Sequence, residues 1–197
     1  MDRERFAKQL EFCLELDKEK NIFRQTHLSG HGRRENDAEH AWHMAIMAYL
    51  LREYANEEID LARTMLMILI HDVVEIDAGD TYAYDTEALK NQKEREEKAA
   101  ERLFGMLPCE QGAELRALFE EFEAGETPEA RFAHAMDNFQ PLLLNHSNDG
   151  GDWREHGVRR SQVMGRQNGT RPGSEELWQY TKELIDAHVA KGDIKDE

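Results

Sequence analysis

Residues 65–72, Met65-Leu66-Met67-Ile68-Leu69-Ile70-His71-Asp72, carry six apolar side chains straight into a histidine and an aspartate. Neighbouring helical side chains are splayed by about 100°, so the pair leaves the run in two directions. An unpaired carboxylate at the edge of a core is costly, and metal coordination is one way to offset that cost. The stretch therefore reads as the end of a helix that begins after Asp60 and runs through Leu61 to about Val74. Being apolar nearly all round, it is expected at the centre of a helical bundle.

Outward from this helix the same periodicity recurs. Phe6, Leu10, Cys13, Leu14 and Ile22 step by three and four residues, placing an apolar stripe on a first amphipathic helix. Residues 24–36, RQTHLSGHGRREN, break the pattern and read as a loop, with Asn36 or Asp37 as N-cap of a second helix over about 38–54. Beyond the third helix, residues 76–85 form a turn-rich stretch with three aspartates and two tyrosines, and a charged helix follows over about 86–107. Further helices are expected at about 111–124, closing on Gly125, and at about 128–145, opened by Thr127-Pro128. Pro141 should bend the latter or end its regular bonding. Two loops, NHSNDGGDW and GTRPG, flank a short helix in WREHGVRRSQVM, and Ser174 to about Val189 supplies the last helix. No sustained alternation marks a strand and no linker divides the chain. The expectation is a single all-α domain over 1–197, of about six to eight helices, with a C-terminal helical extension at about 150–190.

Composition narrows the function. Asp and Glu number 41 against 25 Lys and Arg, a formal charge of −16, which opposes binding to a nucleic-acid backbone or an anionic membrane. A small phosphorylated ligand stays open if a metal and local arginines invert the field. Cys13 and Cys109 form no CxxC pair and read as ordinary buried or half-buried thiols of a cytoplasmic protein. The charged N-terminus lacks a secretory apolar segment, and no run approaches the roughly 20 apolar residues that span a bilayer.

The metal-loving residues are His40, near the start of the second helix, His71 and Asp72, and Asp137 inside an apolar helix. Such a mixed imidazole and carboxylate set suits a catalytic divalent ion with positions open to water and substrate. His40 alone reads more readily as a capped or surface residue than as a ligand. Glu75 lies about one turn beyond Asp72, placed to orient a water or to stand solvated, and Asp80, after Gly79, is open to chemistry or to turn capping. His43, three residues after His40, is near enough to join the site but reads equally as a solvated residue of the helix start. His27 and His31 read as exposed loop residues, Asp77 as a loop acid, and Trp153 to Arg160 as a surface helix with an anchoring tryptophan.

These residues carry a resemblance. His40, then His71-Asp72, then Asp137 resembles the H...HD...D signature of the HD-domain metal-dependent phosphohydrolases. Arg34-Glu35-Asn36-Asp37-Ala38-Glu39-His40-Ala41-Trp42 and His71-Asp72-Val73-Val74-Glu75-Ile76-Asp77-Ala78-Gly79-Asp80 are similar to two segments of its 5′-deoxynucleotidase branch. The similarity spans about residues 20–145. It implies an HD-type bundle, one divalent ion (Mn, Co, Zn or Mg) on His40, His71, Asp72 and Asp137, water positioned by Glu75 and Asp80, and phosphate contacted by Arg24. It further implies a homodimer that hydrolyses (deoxy)nucleoside 5′-monophosphates through a metal-activated water. The nucleotidase pattern has tryptophan after that arginine, whereas this chain has Gln25, so a preference for deoxyribose is not carried across. Competing readings are another HD-type enzyme (a pyrophosphohydrolase, a phosphodiesterase or a two-iron oxidase needing extra ligands) and a metal-stabilised helical module without catalysis.

Overall fold

A reciprocal cap starts the helix that carries the first histidine. The Asn36 side chain accepts the Glu39 N–H at 2.9 Å, and the Glu39 carboxylate accepts the Asn36 N–H at 3.2 Å. From such starts the computed structural model, which describes residues 1–81 and 88–197, builds helices along nearly the whole chain. They are α1 Arg3–Leu16, α2 Asp37–Leu51, α3 Leu61–Ile70, α4 Glu75–Ala78, α5 Gln92–Gly105, α6 Cys109–Ala124, α7 Pro128–Ser147, α8 Gly151–His156, α9 Arg160–Gln167, α10 Thr170–Gly173 and α11 Glu175–Lys191. The all-α expectation holds. The tip of the anticipated turn, Tyr82 to Asp85, and the start of the charged helix near 86 lie outside the described residues.

The central helix is α7, not α3. It packs against α2, α3, α6, α10 and α11, and buries Phe132, Ala133, Met136 and Phe139 along one flank. Helix α3 instead leaves Leu66 and Leu69 exposed, at 39% and 42%. Pro141 neither ends α7 nor stops its burial, since the helix continues to Ser147 and buries Leu142 and Leu144. An interior proline costs roughly 3 kcal/mol, and burying two leucines offsets about that much at 1.5–3 kcal/mol each.

Four further expectations need correction. Residues 24–36 are not a plain loop: β1 (Phe23–His27) pairs antiparallel with β2 (Arg34–Asn36), turning over Gly30 and His31, both at positive φ. Strands this short carry no period-two signal, and two glycines within thirteen residues give the segment the composition of a loop. On α1 the apolar stripe faces outward, with Phe6, Leu10 and Leu14 exposed and Phe12 and Glu15 buried instead. Cys13 on α1 and Cys109 at the start of α6 are both exposed rather than buried. The segment GTRPG is a helical turn, α10, seated on α7. A Cβ at Gly173 would lie 2.2 Å from the Arg131 carbonyl oxygen, so only glycine permits that approach.

Candidate metal centre

Helix α3 stops where its apolar run stops. At His71 the backbone tightens into a 3₁₀ turn, His71–Val74, before resuming as α4 from Glu75. The change of pitch turns His71, Asp72 and Glu75 toward α2 and α7, so the three acidic and basic groups need not share one α-helical face.

Each histidine is locked by its outer nitrogen. His71 Nδ1 lies 2.7 Å from the Ile68 carbonyl oxygen, which only accepts, so Nδ1 carries a proton and Nε2 is the nitrogen left to face an ion once its own proton is released. His40 Nδ1 donates to Gln140 Oε1 at 2.9 Å, while Gln140 Nε2 donates to Glu35 Oε1 at 2.7 Å. This Gln140–Glu35 relay aims His40 Nε2 at Asp137 Oδ1, 3.2 Å away, and toward Asp72 Oδ2 at 4.0 Å. His71 Nε2 stands 3.1 Å from Asp72 Oδ1 and 4.0 Å from Asp137 Oδ1. The structure thus brings His40, His71, Asp72 and Asp137 together from α2, the 3₁₀ turn and α7.

The donor set fits a divalent ion. His71 Nε2 is buried yet makes no well-aligned hydrogen bond, and atoms of His40, His71 and Asp72 lie within 4.8 Å of one another. Two neutral imidazoles and two carboxylates are the ligand types expected of a first-row metal with open positions.

The charge balance points the same way. Burial pulls His40 down to about 4, so it is neutral at pH 7. Burial also opposes a charge on His71, but the Asp72 and Asp137 carboxylates outweigh it and hold that ring up at about 9. Burial raises Asp72 and Asp137 less than their cationic partners lower them. His71 and Arg24 hold Asp72 below the usual carboxylate range, and Arg166 and His40 do so for Asp137. Around them sit acids that burial and like charge push upward: Glu75 well above its ordinary value, Asp80 in the same direction, Glu19 to about 8, and Glu35 and Asp37 to about 7. A metal-free chain thus holds protons where a cation would sit.

That proton load has a measurable sign. Buried acids with raised values bind protons in the fold that the unfolded chain releases above about 4.5, so their cost grows as pH rises to about 8. His71 adds stability that is full below 6.5 and is lost as pH rises through about 9. His40, lowered to about 4, acts in the opposite sense but only below 6.5. The chelator-stripped chain should therefore lose thermal stability steadily from about pH 6.5 to 9, by at most about 1.4 kcal/mol per pH unit for each proton. Added Mn²⁺ should raise the melting temperature most at the alkaline end. Melting temperatures of both forms, recorded across this range, check it; a flat or rising metal-free profile contradicts the charge reading.

The other expected residues fall in distinct places. Arg24, on β1, reaches the centre, its Nη1 2.8 Å from Asp72 Oδ2 and 3.3 Å from Asp37 Oδ1. Glu75 is buried with Oε2 unpartnered, beside Asp37 and Asp72, and Asp80 lines a neighbouring cavity. His43 stays outside, its Nδ1 3.1 Å from Gln140 Nε2. Asp77 pairs with Arg102 at 2.7 Å. His27 is not a free loop residue, since its Nδ1 bonds Asp152 at 2.7 Å. Nor is the segment after Trp153 a plain surface helix: Trp153 is buried and, with His156, walls the cavity that Arg24 and Asp80 border. Four residues were missed, Asp37, Glu19, Gln140 and Arg166. Of these, only Asp37, inside the similar segment, carried any sequence signal.

Two cavities share Arg24 and Arg166 as wall residues, and the larger opens on the centre. One, of about 330 Å³, exposes His71, Asp72, Glu75 and Asp137. The other, of about 90 Å³, lies between α7, α8 and α9 and is mostly apolar.

Known proteins are similar to this chain to different degrees. A family model described as HD domain matches residues 16–178. A protein of Magnetospirillum magnetotacticum MS-1, described as a metal-dependent phosphohydrolase, superposes with a TM-score of 0.92 at 50% identity, covering 96% of this chain and 95% of that one. An HD-domain phosphohydrolase of Listeria innocua, 18% identical, shares the fold with a TM-score of 0.61 over 94% of this chain and 91% of its own. A 5′-deoxynucleotidase of Bos taurus is 30% identical over 109 residues, 55% of this chain and 52% of that protein. One of Xenopus laevis is 34% identical over 110 residues, 55% of this chain and 53% of its own. The chain spans about half the length of the curated relatives it matches.

Proposed function

The chain belongs to the HD-domain family of metal-dependent phosphohydrolases, and we propose that the bond it cleaves is the phosphomonoester of a (deoxy)nucleoside 5′-monophosphate, giving nucleoside and inorganic phosphate. The observation that carries this reading is the convergence of His40 Nε2, His71 Nε2, Asp72 and Asp137 beside Arg24, at the junction of a polar cavity and an apolar one. The phosphate would occupy the first cavity and the nucleoside the second.

In this reading His40, His71, Asp72 and Asp137 would hold one divalent ion, which would supply the positive charge that polarises phosphoryl oxygens and eases ionisation of water at neutral pH. Arg24, charged throughout the accessible pH range, neutralises the phosphate. Glu75, buried with one oxygen unpartnered, orients the attacking water and, in its ionised form, takes its proton. Asp80, on the wall of the second cavity, assists from the leaving-group side. Leu142, Val163 and Trp153 offer an apolar wall for a base, while Asn138, Asn145 and Gln167 offer amides for its edge. The homodimer and the cytoplasmic setting are part of the same proposal; no helix among the described residues is long and apolar enough to cross a membrane.

The test is phosphate release from ribo- and deoxyribonucleoside monophosphates in the presence of Mn²⁺, Co²⁺, Mg²⁺ or Zn²⁺, with a chelator control. At least one nucleotide should be hydrolysed in a metal-dependent way. A silent panel would remove the substrate assignment.

A further inference from the structure

Arg24 is less available to a ligand than its position implies. Its side chain is only 13% exposed and its Nη1 already bonds Asp72 and Asp37. Around it the field is strongly acidic, with Glu19, Asp37, Glu75 and Asp80 beside the four presumed ligands. A phosphate dianion entering this site needs a second cation with donors to spare.

Arg166 has them. It lies on α9, where no motif marked it, and its Nη2 bonds Asp137 Oδ2 at 2.7 Å. Asp137 turns its other oxygen, Oδ1, toward His40 and His71. The carboxylate is thus divided, one oxygen for the centre and one for the arginine. Arg166 keeps 37% of its side chain exposed, and among the described residues its remaining N–H groups have no protein acceptor. Its side chain walls both cavities, as Arg24 does from the opposite element.

We infer that Arg166 is a phosphate-binding residue of this site, fixed in place by Asp137 Oδ2 and presenting its remaining donors to the phosphoryl oxygens where the two cavities meet. The inference rests on the phosphohydrolase reading. It makes α9, and with it the segment C-terminal to the motif-bearing helices, a working wall of the site. A guanidinium suits the task because it spans two acceptors at once, one on Asp137 and one on the ligand, in a fixed fork.

Inorganic phosphate, the product and the simplest form of the group held, tests the inference without turnover. Phosphate affinity of the Mn²⁺-saturated chain is measured by calorimetry for the wild type, Arg166→Gln, Arg166→Lys and Arg160→Gln, with Mn²⁺ affinity measured in parallel. Arg160 sits on the same helix but pairs with Asp186 at 2.6 Å on the surface. Arg166→Gln should weaken phosphate binding about tenfold or more, as loss of a charge-assisted bond of about 1.5–3 kcal/mol implies. Arg166→Lys should weaken it less, and Arg160→Gln not at all. Unchanged phosphate affinity in Arg166→Gln overturns the inference, as does a variant that loses only Mn²⁺ affinity, for then the arginine merely positions Asp137. If Arg166→Gln loses phosphate while the wild type hydrolyses no nucleotide, the inference stands and the substrate assignment falls. If the Mn²⁺-saturated wild type binds no phosphate, both fall.

Discussion

Replacing Asp72 by alanine is expected to bring Mn²⁺ or Co²⁺ content after dialysis below detection and phosphate release to background, while the helical fold is retained. Asp72 is the junction of the centre. Its Oδ1 faces His71 Nε2, and its Oδ2 faces both Arg24 and, more distantly, His40. Asp137 makes the corresponding contacts from α7, facing both histidines and bonding Arg166, so Asp72 and Asp137 are the two carboxylates that join the histidines to an arginine. Its removal takes away a ligand and half of the negative charge that the two presumed carboxylate ligands supply, and leaves Arg24 held only by Asp37 at 3.3 Å. Asp72→Asn, which keeps the shape and removes the charge, should fail in the same way, separating charge from packing. Circular dichroism with metal analysis and a phosphate assay checks both variants. Full activity in either would sink the ligand assignment.

The second large effect belongs to Glu75. Glu75→Gln should leave metal content near that of the wild type and lower turnover by about 10² to 10⁴, the range for loss of a positioned acid or base. The reason is positional. Glu75 follows the 3₁₀ turn, sits beside Asp37 and Asp72, and leaves Oε2 without a hydrogen bond. A carboxyl whose only task was structural would pair that oxygen, since an unmet buried acceptor costs about 1–3 kcal/mol. The amide removes a buried acid whose ionised form the fold opposes, so the metal-free variant should be at least as stable as the metal-free wild type above neutral pH. Kinetics, metal analysis and melting at pH 8 read the three outcomes together. Wild-type turnover in Glu75→Gln would assign the proton transfer elsewhere.

What was legible in the sequence follows a physical pattern. His71-Asp72 stood out because a long apolar run sets a buried environment in which a polar pair must be satisfied. The starts of α2 and α7 were legible because Asn36 and Thr127 cap them with side chains, and Pro128 suits the first turn. Less local features were hidden. Nothing in a window around Arg166 says that it meets a carboxylate 29 residues earlier, since that meeting depends on how α9 folds back on α7. Gln140 is one amide in an apolar helix, and its role appears only when His40 is seen at its side. Helix α1 misled because apolar periodicity reports an amphipathic face without saying what covers it, and among the described residues Phe6, Leu10 and Leu14 remain exposed. The 3₁₀ turn at His71 was invisible too, since the same residues serve equally well in an unbroken helix.

The most direct measurement titrates the chelator-stripped chain with Mn²⁺ while recording bound metal and phosphate release from a nucleoside monophosphate on the same samples. Release should be absent at zero metal, rise in proportion to occupancy and level off near one ion per chain, with Asp72→Ala flat throughout. Phosphate release from the stripped chain, or release that does not follow occupancy of this centre, would contradict the account.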